Sequence, residues 1–138
     1  ARLSEVLRVK RSKEQSAAFE ARAKRFAGYA FRQRNLSLRP VRTVKELTLW
    51  AQRFSNCAAG YAEDIIRGTC MSFGLVDRAE PKRPYYMLEW DPKKREIVQG
   101  RTKGNGRDYK DDPAVSAFCG KWQEFIKVKT ARHRKAAA

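Results

Sequence analysis

The stretch from Gln99 to Lys110 brings glycines, cations and hydrogen-bonding side chains close together. Glycines let a ligand approach the backbone, and Arg and Lys pair with phosphate. Amide side chains can bind a base edge or a sugar, and a Tyr can stack on an exposed base. The predicted nucleic-acid-binding residues here are Gln99, Arg101, Lys103, Asn105, Arg107, Tyr109 and Lys110. The competing interpretation is a solvated loop in which the glycines only form turns.

A second cluster of cations follows Asp91-Pro92. Lys93, Lys94 and Arg95 would lie at the tip of a hairpin, where they could clamp a phosphate strand. A charged tip also simply discourages edge pairing between sheets, so both interpretations remain open. In the neighbouring strand, alternation places one of Tyr85 and Tyr86 on an exposed face, where it could stack on bases.

The residues for nucleophilic or zinc chemistry are sparse. The only histidine is His133, near the end of the chain, so a Cys-His or Ser-His pair inside the fold lacks a base. Cys57, Cys70 and Cys119 lack the paired spacing of a structural zinc site and are interpreted as buried thiols. No P-loop pattern occurs. We therefore predict no catalytic residue, no bound metal and no cofactor.

A metal-dependent nuclease is kept as an alternative because carboxylates can bind Mg²⁺. Glu89 would lie beside the strand that contains Gln99. Helix capping, a solvated helix face and cross-strand pairing of Glu89 with a cation explain the same residues without a metal. The candidate carboxylates are Glu63, Asp64, Glu89, Asp108, Asp111 and Asp112.

Charge is the strongest compositional signal. The 138 residues include 31 Lys and Arg against 15 Asp and Glu, for a net charge of +16. A folded domain with this much self-repulsion usually meets a polyanion, most often a nucleic acid. A membrane surface, an acidic protein or a role in solubility are the other interpretations.

The length fits one domain, and no apolar run approaches the roughly 20 residues of a membrane-spanning helix. Three cysteines without a CxxC pattern indicate a reducing compartment, so we expect a cytoplasmic protein. Ser4, Glu5 and Arg8 interrupt the apolar residues near the start, which excludes a signal peptide there. The sequence begins at Ala1 within a helical pattern, so we expect a trimmed product or a piece of a longer protein.

The sequence predicts four helices. The first is a long basic helix over residues 2–27 that stops at Gly28, lying on the body or reaching out to a partner. A capping box, Thr43-x-x-Glu46, opens the second helix, and the third runs from Cys57 to Arg67 and stops at Gly68. The last begins at Pro113. The apolar stripes of the first and last helices are Leu3, Val6, Leu7, Ala17, Ala18 and Ala21, and Val115, Phe118, Cys119, Trp122, Phe125 and Ile126.

Strands are predicted where the spacing of apolar residues along the chain changes from about 3.6 to two. Asn35–Arg39 is a short strand, and Cys70–Asp77, Tyr85–Trp90 and Glu96–Arg101 form a three-stranded antiparallel meander. The fold class is therefore α+β. We expect a basic helical extension over residues 1–34, an α+β domain over 35–128 and a basic tail over 129–138. That tail is either a binding arm or a disordered end.

Residues 36–126 resemble the PcfJ-like family, whose members are carried by conjugative plasmids, phages and related mobile elements. The most specific match is Ile-Val-Gln-x-Arg-x-Lys-x-Asn, which begins at Ile97. The chain departs from the family at Asn56, where many members have His. The resemblance implies a mobile-element context and carries no established activity. The other matching residues are Cys57, Tyr61, Gly68, Cys70, Leu88, Glu89 and Trp122.

The sequence thus predicts a nucleic-acid-binding accessory or structural protein of a mobile-element or phage nucleoprotein complex. Phosphate contacts would dominate, RNA and DNA are both open, larger protein subunits are possible partners, and no membrane is involved. Two alternatives remain: a factor that occupies an acidic or nucleic-acid-binding groove of a host protein, and the metal-dependent nuclease.

Overall fold

The computed structural model describes residues 2–54, 58–80, 84–102 and 106–137. Its four helices are α1 (Arg2–Lys24), α2 (Val44–Phe54), α3 (Ala62–Arg67) and α4 (Pro113–Ala137), and its five strands are β1 (Phe31–Gln33), β2 (Leu36–Pro40), β3 (Met71–Asp77), β4 (Pro84–Asp91) and β5 (Glu96–Arg101). Short 3₁₀ turns cover Ala27–Tyr29, Ala58–Tyr61 and Tyr109–Asp111. The α+β class is confirmed.

The strands form one antiparallel sheet in the order β1-β2-β3-β4-β5. The predicted antiparallel meander of three strands is confirmed as β3, β4 and β5, but the sheet has five strands because β1 and β2 extend it. The turn between β1 and β2 contains no glycine, and Arg34 adopts a positive φ of 54° there. Three-residue β1 is too short to show alternation, so the sequence contains no signal for this hairpin.

One face of the sheet packs against α4. The Trp122 ring lies 5.0 Å from the rings of Phe73 and Trp90, and Phe118 lies 5.5 Å from Phe31. The Trp122 indole also donates a hydrogen bond of 2.8 Å to the Tyr29 carbonyl. The apolar stripe predicted for the last helix is confirmed.

The opposite face of the sheet packs against α2. Gly74 of β3 leaves room for Trp50, since an added Cβ would lie 2.8 Å from the Trp50 ring. The Thr43 hydroxyl accepts the Glu46 amide at 3.0 Å, as predicted. The Glu46 carboxylate accepts the Arg42 amide instead of the Thr43 amide, and it also binds the Arg39 guanidinium at 2.7 Å.

The long first helix contacts the body through a face other than the predicted stripe. Phe19 is fully buried, whereas Leu3 is 73% exposed and Ala17, Ala18 and Ala21 are exposed as well. Phe19 and the nearby Ala23 and Phe26 lie on the other side of the helix, where aromatic burial outweighs a stripe made mostly of alanine. The stripe itself faces solvent.

The ends of α3 and α4 can be compared with the predicted helix boundaries. The third helix ends at Gly68, as predicted, with a φ of 81°. Its predicted start, Cys57, lies outside the described residues. The backbone of α4 continues to Ala137, through the segment expected to be a tail.

Within the described part of the chain, none of the helices has the length and apolar character needed to cross a bilayer.

Candidate functional site

Thr102 and Arg107, which lie just after β5 in the chain, are hydrogen-bonded to each other. The Thr102 amide donates to the Arg107 carbonyl at 3.1 Å, and the Arg107 amide donates to the Thr102 hydroxyl at 2.8 Å. Lys103 and Asn105, two predicted binding residues, lie outside the described residues. Gln99 is exposed on β5. Gln99 and Arg101 of β5 and the nearby Arg107 therefore lie toward the same end of the strand.

Arg101 at the end of β5 and Arg107 both have carboxylate neighbours. The Arg101 guanidinium lies 3.6 Å from Asp108 and donates to the Gly106 carbonyl, while the Arg107 guanidinium lies 3.9 Å from Asp112. The Arg101 and Arg107 side chains remain 41% and 60% exposed. Ion pairs this exposed are weak, so a phosphate can compete for either guanidinium.

Tyr109 is placed differently from the prediction. It is only 9% exposed, and its ring packs over Gly100, where an added Cβ would lie 2.9 Å from the ring. A base cannot stack on a buried ring, so the stacking role predicted for Tyr109 is wrong. Gly100 accordingly makes room for this packing and for Leu88, not for a ligand. Lys110 is exposed next to Tyr109.

Tyr85 is the exposed aromatic residue of this region. A bulge in the pairing of β3 with β4 leaves Tyr85 without a partner in the register, and the residue is 45% exposed. Its ring packs edge to face against Tyr86, 4.7 Å away. The expectation that one of the two tyrosines lies on an exposed face is confirmed, because Tyr86 is fully buried.

A short chain of contacts links Tyr85 to Arg107. The Tyr86 hydroxyl donates to the Asp112 carboxylate at 3.1 Å, and Asp112 is the same carboxylate that pairs with Arg107. Burial, followed by the hydrogen bond to Asp112, raises the pKa of Tyr86, so its hydroxyl stays protonated as a donor. The exposed ring and the exposed guanidinium are thus held at the same end of the sheet. We call Tyr85, Tyr86, Arg107 and Asp112 the Tyr85 cluster.

The predicted hairpin tip lies between β4 and β5. The Asp91 carboxylate accepts the amides of Lys93 and Lys94 at 2.9 and 3.1 Å, and Arg95 adopts a φ of 56°. Hydrogen bonds from these amides, together with the positive charges of the two lysines, hold the pKa of Asp91 below its usual range. All three cations of the tip are exposed.

The tip and the Tyr85 cluster occupy opposite ends of the sheet. Arg101 pairs with Met87 near the start of β4, whereas Glu96 pairs with Asp91 at its end. At a rise of roughly 3.3 Å per residue, the five steps from Glu96 to Arg101 separate the two ends by about 17 Å. A single phosphate therefore cannot contact both, but an extended strand can.

A basic groove that sequence reasoning missed lies between α1 and α3. It has a volume of about 550 Å³. Arginines come from both walls, since Arg8 and Arg11 belong to α1 and Arg67 to α3, and Glu63 pairs with Arg67 at 3.5 Å. The α1 residues of the groove are spaced three and four apart, and residues at this spacing share a helix face, so the sequence contained a signal for this wall of the groove. The lining residues are Arg8, Arg11, Ser12, Gln15, Glu63, Ile66 and Arg67.

Glu89 does not pair with a cation across the sheet, contrary to prediction. Its partners in the register are Ser72 on β3 and Gln99 on β5. Burial raises the pKa of Glu89, and the carboxylates of Asp64 and Asp91 raise it further. Among residues 2–54, 58–80, 84–102 and 106–137, no group of three or more His, Cys, Asp or Glu side chains could hold a metal ion.

The two described cysteines are buried thiols, as predicted. Burial raises the pKa of both Cys70 and Cys119 to about 12, so neither forms a thiolate near neutral pH.

Comparison with protein families finds one match that covers most of the chain. The model of the family described as PcfJ-like protein matches residues 5–115. This match begins in α1, upstream of the motif residues, and ends in the first turn of α4. Comparisons with curated proteins and with solved structures find no match.

Proposed function

The chain belongs to the PcfJ-like protein family, and from this premise we propose that it binds nucleic acid as an accessory or structural component of a mobile-element nucleoprotein complex. The family supplies the context, because its members are carried by mobile elements. The net charge of +16 supports a polyanionic ligand. Most of the interaction would come from backbone phosphates.

The Tyr85 cluster is the observation that carries this proposal. An exposed ring accepts a base by stacking, and an exposed guanidinium at the same end of the sheet accepts a phosphate of the same strand. Arg107 pairs with Asp112 at 3.9 Å and remains more than half exposed. A single-stranded ligand fits this pair best, because its bases are available for stacking.

The remaining basic surfaces extend the same interaction. An extended strand that stacks on Tyr85 and runs along β5 reaches the cations of Lys93, Lys94 and Arg95. The groove between α1 and α3 supplies further phosphate contacts through Arg8 and Arg11. The described residues contain five ion pairs, none of which involves these five cations. Their charge therefore remains available to a ligand.

Fluorescence anisotropy with a labelled single-stranded oligonucleotide tests the proposal. We expect the apparent affinity to fall steeply with salt, by roughly one unit of log-log slope for each phosphate contacted. Tyr85→Ala should weaken binding by about tenfold, the usual effect of losing one stacked base, whereas Tyr85→Phe should keep most of the affinity. Val128→Ala, at an exposed apolar position on α4 away from the proposed path, is the matched control.

The phosphate contact is tested through the salt slope. Arg107→Ala should lower the slope by about one unit, while Lys121→Ala, which removes an exposed cation on α4, should leave it unchanged. A flat salt titration, or equal affinity of Tyr85→Ala and the unaltered chain, would contradict the proposal. A sample that holds a stoichiometric protein partner and binds no oligonucleotide would instead favour the host-protein factor.

A further inference from the structure

One face of α1 exposes apolar residues to solvent, since Leu3, Val6 and Leu7 are 73%, 61% and 46% exposed. Val9 is exposed as well, but it lies about a third of a turn away from this face. The body binds the opposite side of the helix, through Phe19. Single exposed apolar residues are ordinary, but a run of them along one helix is typical of an interaction surface.

The residues of this face follow the spacing of a coiled-coil seam. Positions 3, 7, 10, 14, 17 and 21 alternate steps of four and three residues, which is the a/d pattern of a heptad repeat. We call these positions the α1 seam. The central positions are Lys10 and Glu14, and both are exposed. Charges in the middle of an apolar seam need partners on the facing helix, and they fix its register.

The α1 seam is complementary to itself when a second copy runs antiparallel. With a two-fold axis at Ser12, Leu3 of one copy faces Ala21 of the other, and Leu7 faces Ala17. Lys10 then faces Glu14, twice, once on each side of the axis. Large side chains opposite small ones fill such a seam, and each charge meets its opposite.

We propose that the chain forms an antiparallel homodimer through the α1 seam. A parallel pair would place Lys10 against Lys10 and Glu14 against Glu14, so repulsion selects the antiparallel pair. The two bodies do not collide, because each lies on the side of α1 opposite the seam. A C₂ interface of this kind is isologous and closes after two copies.

Like charges flank the seam near the axis. Arg11 faces Arg11 of the second copy on one flank, and Lys13 faces Lys13 on the other. These contacts oppose association at low ionic strength, and salt screens them with a Debye length of about 8 Å at physiological ionic strength. Salt also screens the two Lys10–Glu14 pairs, but each copy carries a net charge of +16, so overall repulsion dominates. The dimer should therefore become stronger as salt increases, which is the reverse of the expectation for nucleic-acid binding.

Sedimentation equilibrium of the full chain, freed of nucleic acid at high salt, tests the dimer. We expect a reversible monomer-dimer equilibrium. Lys10→Glu or Glu14→Lys alone should weaken it by more than about tenfold, because each places like charges across the seam. The double variant Lys10→Glu with Glu14→Lys should restore it. Lys121→Glu makes the same charge change on α4 and should have no such effect.

A mixture of the two single-charge variants provides a further test of the dimer. Mixed together, they regain opposite charges at both central positions and should form a heterodimer, although each alone remains monomeric. Leu7→Ala, which keeps helix propensity, should weaken the dimer through lost apolar contact. A chain that stays monomeric at every concentration would overturn the proposal, as would a dimer that the single reversals leave intact or that the double variant fails to restore.

Discussion

Glu89 is a half-buried carboxylate that the negative charges of Asp64 and Asp91 repel. Its pKa in the folded chain is raised, first by burial and then by these two carboxylates. A carboxyl group whose pKa rises on folding destabilises the fold above that pKa. The destabilisation disappears below the ordinary Glu pKa of about 4.3.

We therefore expect Glu89→Gln to be more stable than the unaltered chain at neutral pH. The advantage should shrink as the pH falls through the raised pKa and vanish once Glu89 is protonated in both the folded and unfolded states. Urea denaturation at a series of pH values measures this difference. Glu80→Gln, at an exposed turn position, is the control. An advantage of Glu89→Gln that persisted at pH values well below 4.3 would show that burial of charge is not its cause.

Gly68 is required by both its backbone and its surroundings. Its φ of 81° is unfavourable for any residue with a Cβ, and an added Cβ would lie 3.1 Å from the Arg22 guanidinium. That guanidinium donates to the Ile66 carbonyl at the end of α3. Gly68→Ala should lower the free energy of unfolding by about 1–2 kcal/mol.

Gly120 provides the matched control for this substitution. It lies in α4, and no atom lies within 4 Å of the position its Cβ would take. Gly120→Ala should raise the free energy of unfolding by about 0.5–1 kcal/mol, because alanine loses less backbone entropy in a helix. Thermal denaturation of the two variants should therefore move in opposite directions. A loss of stability in both would mean that general crowding, not the backbone at residue 68, sets the result.

For single residues, the sequence could predict interactions that depend only on neighbours in the chain. The Thr43 cap and the Gly68 stop depend on atoms within four residues, and both are confirmed. Tyr109 and Gly100 were misassigned because a glycine that admits a ligand and a glycine that admits a core ring look the same in a sequence. Their packing against Leu88 depends on strand pairing, which is not a local property.

At the scale of elements, strong periodicity determined what could be predicted. The α4 stripe ending in Trp122, Phe125 and Ile126 is long and regular, and its packing follows from it. The weak stripe of α1 pointed to the wrong contact face, because burying Phe19 and Phe26 decides how the helix is oriented. Short β1 was missed because pairing with β2, more than its own residues, makes it a strand.

The candidate site arises at the scale of the whole molecule. Tyr85 and Arg107 are far apart in the sequence, and the antiparallel pairing of β4 with β5 places them at the same end of the sheet. Tyr86 and Asp112 then connect them. The basic segment could be recognised from its composition, and an exposed tyrosine from the alternation of β4, but their placement at the same end of the sheet could not, because it depends on the topology of the sheet.

The surplus positive charge should also govern the stability of the whole chain. A net charge of +16 opposes compaction, and salt screens that repulsion. Salt also weakens ion pairs, but exposed pairs contribute less than about 1 kcal/mol each, and the described residues contain five, mostly exposed. The melting temperature should therefore rise with sodium chloride, by about 3–6 °C for each 1 kcal/mol gained.

Lys121→Gln separates self-repulsion from other effects of salt, since it removes one exposed cation from α4 that makes no ion pair within the described residues. This variant should melt at a higher temperature than the unaltered chain at low salt, and the two should converge at high salt, where the repulsion is already screened. Calorimetry across a sodium chloride series measures both curves. Parallel curves would mean that salt acts through hydration, and a falling curve would mean that ion pairs outweigh self-repulsion in this fold.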